Sequence, residues 1–296
     1  MMDLPNNKSK TISLPDGRQL GYIEHGSEAG KPVFYFHGRD GSRLEGAFGK
    51  EHLADDLGIR LICAERPGMG LSDFLKKRTI LDWPTDVLKL ASALHIKKFA
   101  VVGGSGGAPY ALACAYKIPD RLTSCIVAGG LGPFKLSKPF LDRRNRNLLS
   151  IARFFPWSVR LLLWSMIGRN LYNEVWWEKN YEKLVSSLPP SDQILVKKPE
   201  IKERMIDKTR EAYREGCRGP AHDFTLFAKP WGFALEEISP DIRVSLFHGK
   251  KDTAVPIQIA QKISSSIPNC EPTFYEEEGH ISVWVNRFAD IIKSLS

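Results

Sequence analysis

The residue of this sequence best suited to act as a nucleophile is Ser105, in Val101-Val102-Gly103-Gly104-Ser105-Gly106-Gly107-Ala108-Pro109. An apolar, β-branched run ending at Val102 leads straight into an alanine-rich helical run from Ala108 to Tyr116. Gly103 and Gly107 stand two residues either side of the serine, the G-x-S-x-G spacing of a nucleophile elbow. Turning from strand to helix over one residue forces the serine into strained backbone angles. A Cβ two residues away on either side would collide with it, and glycine removes the collision. Pro109 falls in the first helical turn, where a missing N–H matters little. The N–H groups and positive dipole end of that helix suit a developing oxyanion. The same glycine content also fits a phosphate-binding turn in which the serine is incidental.

A serine hydroxyl is a weak nucleophile and needs a base within hydrogen-bond reach. Among the seven histidines, His280 in Glu278-Gly279-His280 follows the last expected strand, where a loop can swing back over the serine. Asp252, in Phe247-His248-Gly249-Lys250-Lys251-Asp252, lies just beyond the preceding strand and is the residue expected to orient that imidazole. Other polar residues read as structural. His248 anchors a glycine turn, His222-Asp223 pairs locally, and Arg66 pairs with Asp73. Trp231 and Phe233 are candidates for lining a substrate pocket. No His/Cys/Asp/Glu cluster has metal-ligand spacing, and no dinucleotide-binding glycine fingerprint opens a helix. Neither a metal nor a cofactor is expected.

These residues must be carried by strands and helices. Thr11 to Leu14 and Gln19 to Glu24 predict two strands around the turn Pro15-Asp16-Gly17. Short apolar runs at Val33–Phe36, Arg60–Ala64, Phe99–Val102, Leu122–Ala128, Arg243–Phe247 and Pro272–Tyr275 predict further strands. Helical patterns lie between them at about 44–57, 79–94, 108–116 and 256–266, with a last helix running to Ser296. This alternation predicts an α/β fold: a mostly parallel sheet with helices on both faces, and reactive groups beyond the strands' carboxyl ends. From 133 to 238 the rhythm stops, and the residues are helix-like and rich in Arg, Trp and Leu. The expected organisation is a core of 1–132 and 239–296 with a helical cap inserted at 133–238.

Composition narrows the setting. Hydrophobic residues at 43% and charged residues at 26% are ordinary for a soluble globular chain. The polar N-terminus carries no apolar signal-peptide core, and no run is long and apolar enough to span a membrane. Five widely spaced cysteines without C-x-x-C suit free thiols in a reducing cytoplasm. The net charge of +8 is carried wholly by residues 133–220, with 18 Lys/Arg against 10 Asp/Glu. That excess suits solvated helix faces, or contact with an anionic membrane surface. No nucleic-acid motif accompanies it, so no nucleic-acid partner is expected. The sequence leaves the oligomeric state open.

Five motifs together carry a family resemblance. They are His37-Gly38 after a strand, the R-P-G-x-G-x-S-D segment from Arg66 to Asp73, and the elbow at Ser105. The H-G-x-x-D-x-x-V-P segment from His248 to Pro256 and the terminal Glu278-Gly279-His280 complete the set. In this order the chain resembles an α/β-hydrolase of the type with a helical cap, whose triad runs Ser…Asp…His along the chain. The resemblance implies a serine esterase mechanism on an ester-like small molecule. It also implies an oxyanion hole made by the backbone N–H groups of Arg39 and Gly106. Asp40 departs from the family pattern, which often has proline here, and needs a partner such as Arg39 or Arg43. An aminopeptidase would need a cap carboxylate such as Glu174, Glu178, Glu203 or Glu211 for the free amine. An acyltransferase on the same triad, or a ligand receptor that barely turns over, shares these motifs.

Overall fold

A computed structural model describes residues 9–46 and 52–295. Eight strands form one sheet: β1 (Ser9–Ser13), β2 (Gln19–Gly26), β3 (Lys31–Phe36), β4 (Ile59–Ala64), β5 (Phe99–Gly104), β6 (Leu122–Ala128), β7 (Val244–Gly249) and β8 (Cys270–Tyr275). Their spatial order is β1-β2-β4-β3-β5-β6-β7-β8. The first three neighbours pair antiparallel, and every pairing from β4 through β8 is parallel. All eight expected strands are present, with ends differing by a few residues.

The sheet is covered on both faces, which is why its central strands read as continuous apolar runs. Alternation decides which side chain faces which layer. Phe34, Phe36, Val101 and Val127 pack into one core with α2 (Trp83–Ala93) and α3 (Ala108–Lys117). Val33, Tyr35, Val102 and Ile126 pack into the other core, which Ala54 of α1 (His52–Asp56) also joins. The helix expected at 44–57 is instead a 3-10 turn at Arg43–Glu45 and the short α1; residues 47–51 of that expectation lie outside the described ones.

Residues 133–238 are helical, and no strand interrupts them. They form α4 (Phe134–Ser137), α5 (Arg143–Phe154), α6 (Pro156–Met166), α7 (Glu174–Ser187), α8 (Pro190–Val196), α9 (Pro199–Ala212) and α10 (Arg218–Ala228). Two different packing arrangements hold this segment. Ala152 of α5, Val159 and Leu163 of α6, and Ala221 and Phe224 of α10 make a small apolar core of their own. Tyr181 and Val185 of α7, with Leu195 and Val196 of α8, instead join the sheet's second core. The chain returns through α11 (Ile257–Ser266), which packs on the α2–α3 face, and α12 (Ser282–Lys293), which packs on the α1 face. Among the described residues, no helix is long and apolar enough to cross a membrane. The five cysteines are all free thiols, four of them buried.

Candidate active site

Three loops beyond the carboxyl ends of parallel strands converge on Ser105. The serine directly follows β5 and opens a short 3-10 turn, Ser105–Gly107, that runs into α3. Its φ of +50° is one of four positive values at non-glycine residues among those described, and it aims the side chain out of the strand-to-helix path. The flanking glycines are required, but the expected clash partner was wrong. A Cβ on Gly103 would lie 2.6 Å from the Gly107 carbonyl oxygen, and one on Gly107 would lie 2.0 Å from that of Phe36. The glycines let the elbow close on itself and on β3; they do not clear room for Ser105.

His280, in the loop between β8 and α12, places Nε2 3.0 Å from Ser105 Oγ and Nδ1 2.7 Å from Asp252 Oδ2. A carboxylate only accepts, so Nδ1 carries the proton and Nε2 is left to accept from the serine hydroxyl. Asp252 is buried, and its other oxygen accepts the N–H groups of Ala254 and Val255, both at 2.8 Å. Burial would push the Asp252 carboxyl up, but the charges of His280 and His248 and these hydrogen bonds hold it below its ordinary range. Burial would likewise push His280 down; the charge and hydrogen bond of Asp252, with the nearby charge of Asp192, outweigh it and raise the imidazole.

A second group of contacts shapes the loop after β3. Arg66 is fully buried and donates to the carbonyls of both His37 and Gly38, and to Asp223 Oδ2 at 2.8 Å. Glu45 accepts the Gly38 N–H at 2.6 Å, the Tyr35 hydroxyl at 2.9 Å and Lys208 Nζ at 2.6 Å. With its carbonyls drawn back, this loop brings the Arg39 backbone nitrogen against the elbow: a Cβ on Gly106 would sit 2.7 Å from it. The first N–H groups of the elbow's helical turn have no intrahelical acceptor. The Arg39 nitrogen thus packs against Gly106, the residue that follows Ser105.

Sequence comparison covers most of this architecture. Residues 31–287 match the model of the alpha/beta hydrolase fold. The chain belongs to the alpha/beta hydrolase family.

Curated relatives match part of this hydrolase-fold chain, and solved structures superpose on nearly its whole length at low identity. A proline iminopeptidase from Xylella fastidiosa is 32% identical over 121 residues, 40% of this chain and 38% of that protein. The match therefore spans well under half of that relative's length. An alpha/beta fold family hydrolase from Bacillus anthracis superposes with a TM-score of 0.68 at 18% identity, covering 97% of this chain and 99% of that one. A thermophilic esterase from Thermogutta terrifontis gives 0.66 at 18% identity, covering 97% and 96%.

In this α/β-hydrolase fold, Ser105, Arg39 and His280 border a cavity of about 380 Å³. Its apolar wall includes Trp177, Tyr181, Leu184 and Leu188 of α7 and the turn after it, Met205 of α9, and Trp284 of α12. Trp231 and Phe233 do not line it. Trp231 is buried with its ring 6.0 Å from that of Phe233, which stacks on Tyr116 at 5.0 Å. Tyr116 stands eight residues beyond Ala108, about 12 Å along α3 from the elbow. The aromatic pair therefore belongs to the packing at the far end of that helix.

Other expectations are also corrected. Arg66 pairs with Asp223 of α10, while Asp73 accepts the Gln19 N–H at 2.7 Å. Asp223 does not pair locally; it also takes Arg78 and the Tyr110 hydroxyl, and His222 meets the Arg78 carbonyl at 3.0 Å. Asp40 is partnered by Arg39 at 3.1 Å, as considered, but its second partner is Tyr213, whose hydroxyl donates at 2.6 Å. Arg43 is engaged by Glu65 and Glu211. His37 and His248 hold loops: His37 bonds the Gly38 carbonyl and the Arg66 N–H, and His248 bonds the Val255 carbonyl. Burial, with the Arg66 charge, lowers His37 to about 3 and keeps it neutral.

The residue sequence reasoning missed most completely is Asp192. It lies in the first turn of α8, is fully buried, and accepts the N–H groups of His280 at 2.9 Å, Ile281 at 3.2 Å and Ser282 at 2.8 Å. It therefore caps α12 from outside and fixes the backbone that carries the imidazole. A Cβ on Gly279 would fall 2.5 Å from this carboxylate. An acid in a helix's first turn normally reads as complementing that helix's own dipole, so no local signal marks it. Among the described residues, no group of three or more His, Cys, Asp or Glu is arranged to hold a metal ion.

Proposed function

We propose that the protein is a serine hydrolase that cleaves a carboxylic ester through an acyl-enzyme. The observation that carries this reading is the continuous relay Ser105–His280–Asp252, and the Arg39 nitrogen packed against Gly106 supports it. His280 Nε2 takes the serine proton as Oγ bonds to the ester carbonyl carbon. The carbonyl π pair moves onto oxygen, where the two backbone donors of the oxyanion hole stabilise it. Collapse of the tetrahedral species expels the alcohol, which leaves with the proton from His280. Water, deprotonated by the same imidazole, then releases the acid and restores Ser105. Asp252 holds the tautomer and stabilises the imidazolium throughout.

The cavity favours an apolar acyl or alcohol group, because its walls from the cap and from α12 are mainly aromatic and aliphatic. A free substrate amine finds no carboxylate waiting for it. Asp40 and Glu45 are the carboxylates among the described lining residues, and Tyr213, Arg39, Tyr35 and Lys208 already engage them. Glu174, Glu178, Glu203 and Glu211 do not line the cavity. Ester cleavage therefore accounts for the site better than removal of an N-terminal residue, despite the partial likeness to a proline iminopeptidase. The test is hydrolysis of p-nitrophenyl esters of graded chain length, alongside proline p-nitroanilide, by wild type and Ser105→Ala. Ester turnover lost by a factor of roughly a thousand or more in Ser105→Ala is the expected result. Turnover of the anilide alone, or ester turnover unaffected by the substitution, would sink the reading.

A further inference from the structure

We infer that the outer face of the α5–α6 hairpin is a docking surface for an anionic lipid bilayer. The inner face of the hairpin is satisfied by packing of Ala152, Val159 and Leu163 against α10. Its outer face is not. Trp157, Leu161 and Trp164 stand at i, i+4 and i+7 of α6, one stripe on a helix, and Phe154 and Phe155 extend it across the α5–α6 corner. All five are between 51% and 74% exposed. Soluble chains rarely leave this much aromatic and aliphatic surface contiguous without a partner.

Charge identifies the partner. From 143 to 170 the chain has six arginines and no Asp, Glu or Lys: Arg143, Arg144, Arg146, Arg153, Arg160 and Arg169. All six are exposed, and none forms an ion pair with a described carboxylate. Elsewhere in the same segment cations are commonly paired, as in Arg210–Glu174 and Lys202–Glu178. Aromatic side chains flanked by unpaired arginines suit the interface of a bilayer, where rings enter the headgroup region and guanidinium groups meet lipid phosphates. A second copy of the chain seated on this stripe by a two-fold axis would bring Arg153 and Arg160 of each copy to the same interface, with no acid in the hairpin to relieve them. The surface is thus built for lipid and against self-association.

The test is flotation of the full-length protein with vesicles of phosphatidylcholine alone or containing one-third phosphatidylglycerol, at low and high salt. Binding to the anionic vesicles, weakened by salt, is expected. Arg153→Gln with Arg160→Gln should lower the partition coefficient about thirtyfold. Trp157→Ser with Trp164→Ser should lower it by roughly tenfold or more. Both variants alter exposed side chains, so their melting temperatures should match wild type and exclude misfolding as the cause. Absence of binding to anionic vesicles, equal salt-insensitive binding to neutral ones, or unchanged binding by both variants would overturn the inference. So would a dimer in sedimentation equilibrium that the tryptophan substitutions dissociate, because the face would then belong to a second copy.

Discussion

Replacing Asp192 by Asn tests whether a residue remote in sequence holds the proposed base in place. The carboxylate accepts three N–H groups: Ile281 and Ser282 on Oδ1, His280 on Oδ2. An asparagine has one acceptor oxygen. Keeping it toward Ile281 and Ser282 retains two bonds and turns the amide NH2 toward the His280 N–H, donor against donor. The deficit therefore lands on His280 itself. Burying one unsatisfied donor costs about 2 kcal/mol, a fall of roughly 3 °C in Tm for a chain of this length. A displacement of the imidazole by a fraction of an ångström should lower kcat/KM by about ten- to a hundredfold. A further effect separates positioning from plain destabilisation. In its proposed role His280 works as a base only when neutral, so activity should rise with pH through its pKa, which the folded protein holds above its ordinary value. Removing the Asp192 charge removes one cause of that elevation, so the acid limb of kcat/KM moves to lower pH. The measurement is a pH profile of p-nitrophenyl ester hydrolysis, with thermal melts in parallel. A lowered Tm with an unmoved acid limb and wild-type kcat/KM at its plateau would refute the reasoning.

Three further outcomes are expected. Tyr213→Phe removes the hydroxyl that holds Asp40, freeing a carboxylate next to the Arg39 N–H; kcat for the ester should fall about tenfold with KM little changed, read from initial rates. Glu45 is lowered from 4.5 to about 2, because the Lys208 charge and its hydrogen bonds outweigh its burial. Its depressed pKa contributes stability, on the order of 3 kcal/mol, that is present above pH 4.5 and lost as pH falls toward 2. Urea unfolding of Glu45→Gln should therefore lose that part of the pH dependence. Arg66→Lys gathers its donors on one nitrogen, which cannot reach acceptors that the guanidinium meets separately from Nε, Nη1 and Nη2; chemical denaturation should show a loss of roughly 3 kcal/mol or more, with the ester activity reduced as the His37–Gly38 carbonyls relax.

The fold was legible because its signals are local. Short apolar runs mark strands buried on both faces, and Pro15-Asp16-Gly17 marks the β1–β2 turn. That Ser105, Asp252 and His280 would meet was legible for a related reason: each sits in a loop just beyond a strand, and parallel strands bring such loops to one edge. The misreadings share a cause. Trp231 and Phe233 were assigned by the place where the helical segment rejoins the sheet, but a side chain's partner depends on the path of α10, which no neighbouring residue specifies. Arg66 was paired with the nearest acid in sequence, Asp73, whereas the buried guanidinium meets Asp223, 157 positions away.

Local chemistry by itself therefore determined the strands, the elbow and the chain order of the three side chains that meet at the site, because propensity, turn chemistry and spacing act over a few residues. Tertiary structure alone decided what holds those groups still. Asp192 reaches His280 across 88 positions, Lys208 reaches Glu45 across 163, and Tyr213 reaches Asp40 across 173. Each of these contacts joins the helical segment to a core loop. A charged residue on an amphipathic helix reads the same whether it faces water or a buried partner; only the packing of that helix against the sheet distinguishes the two.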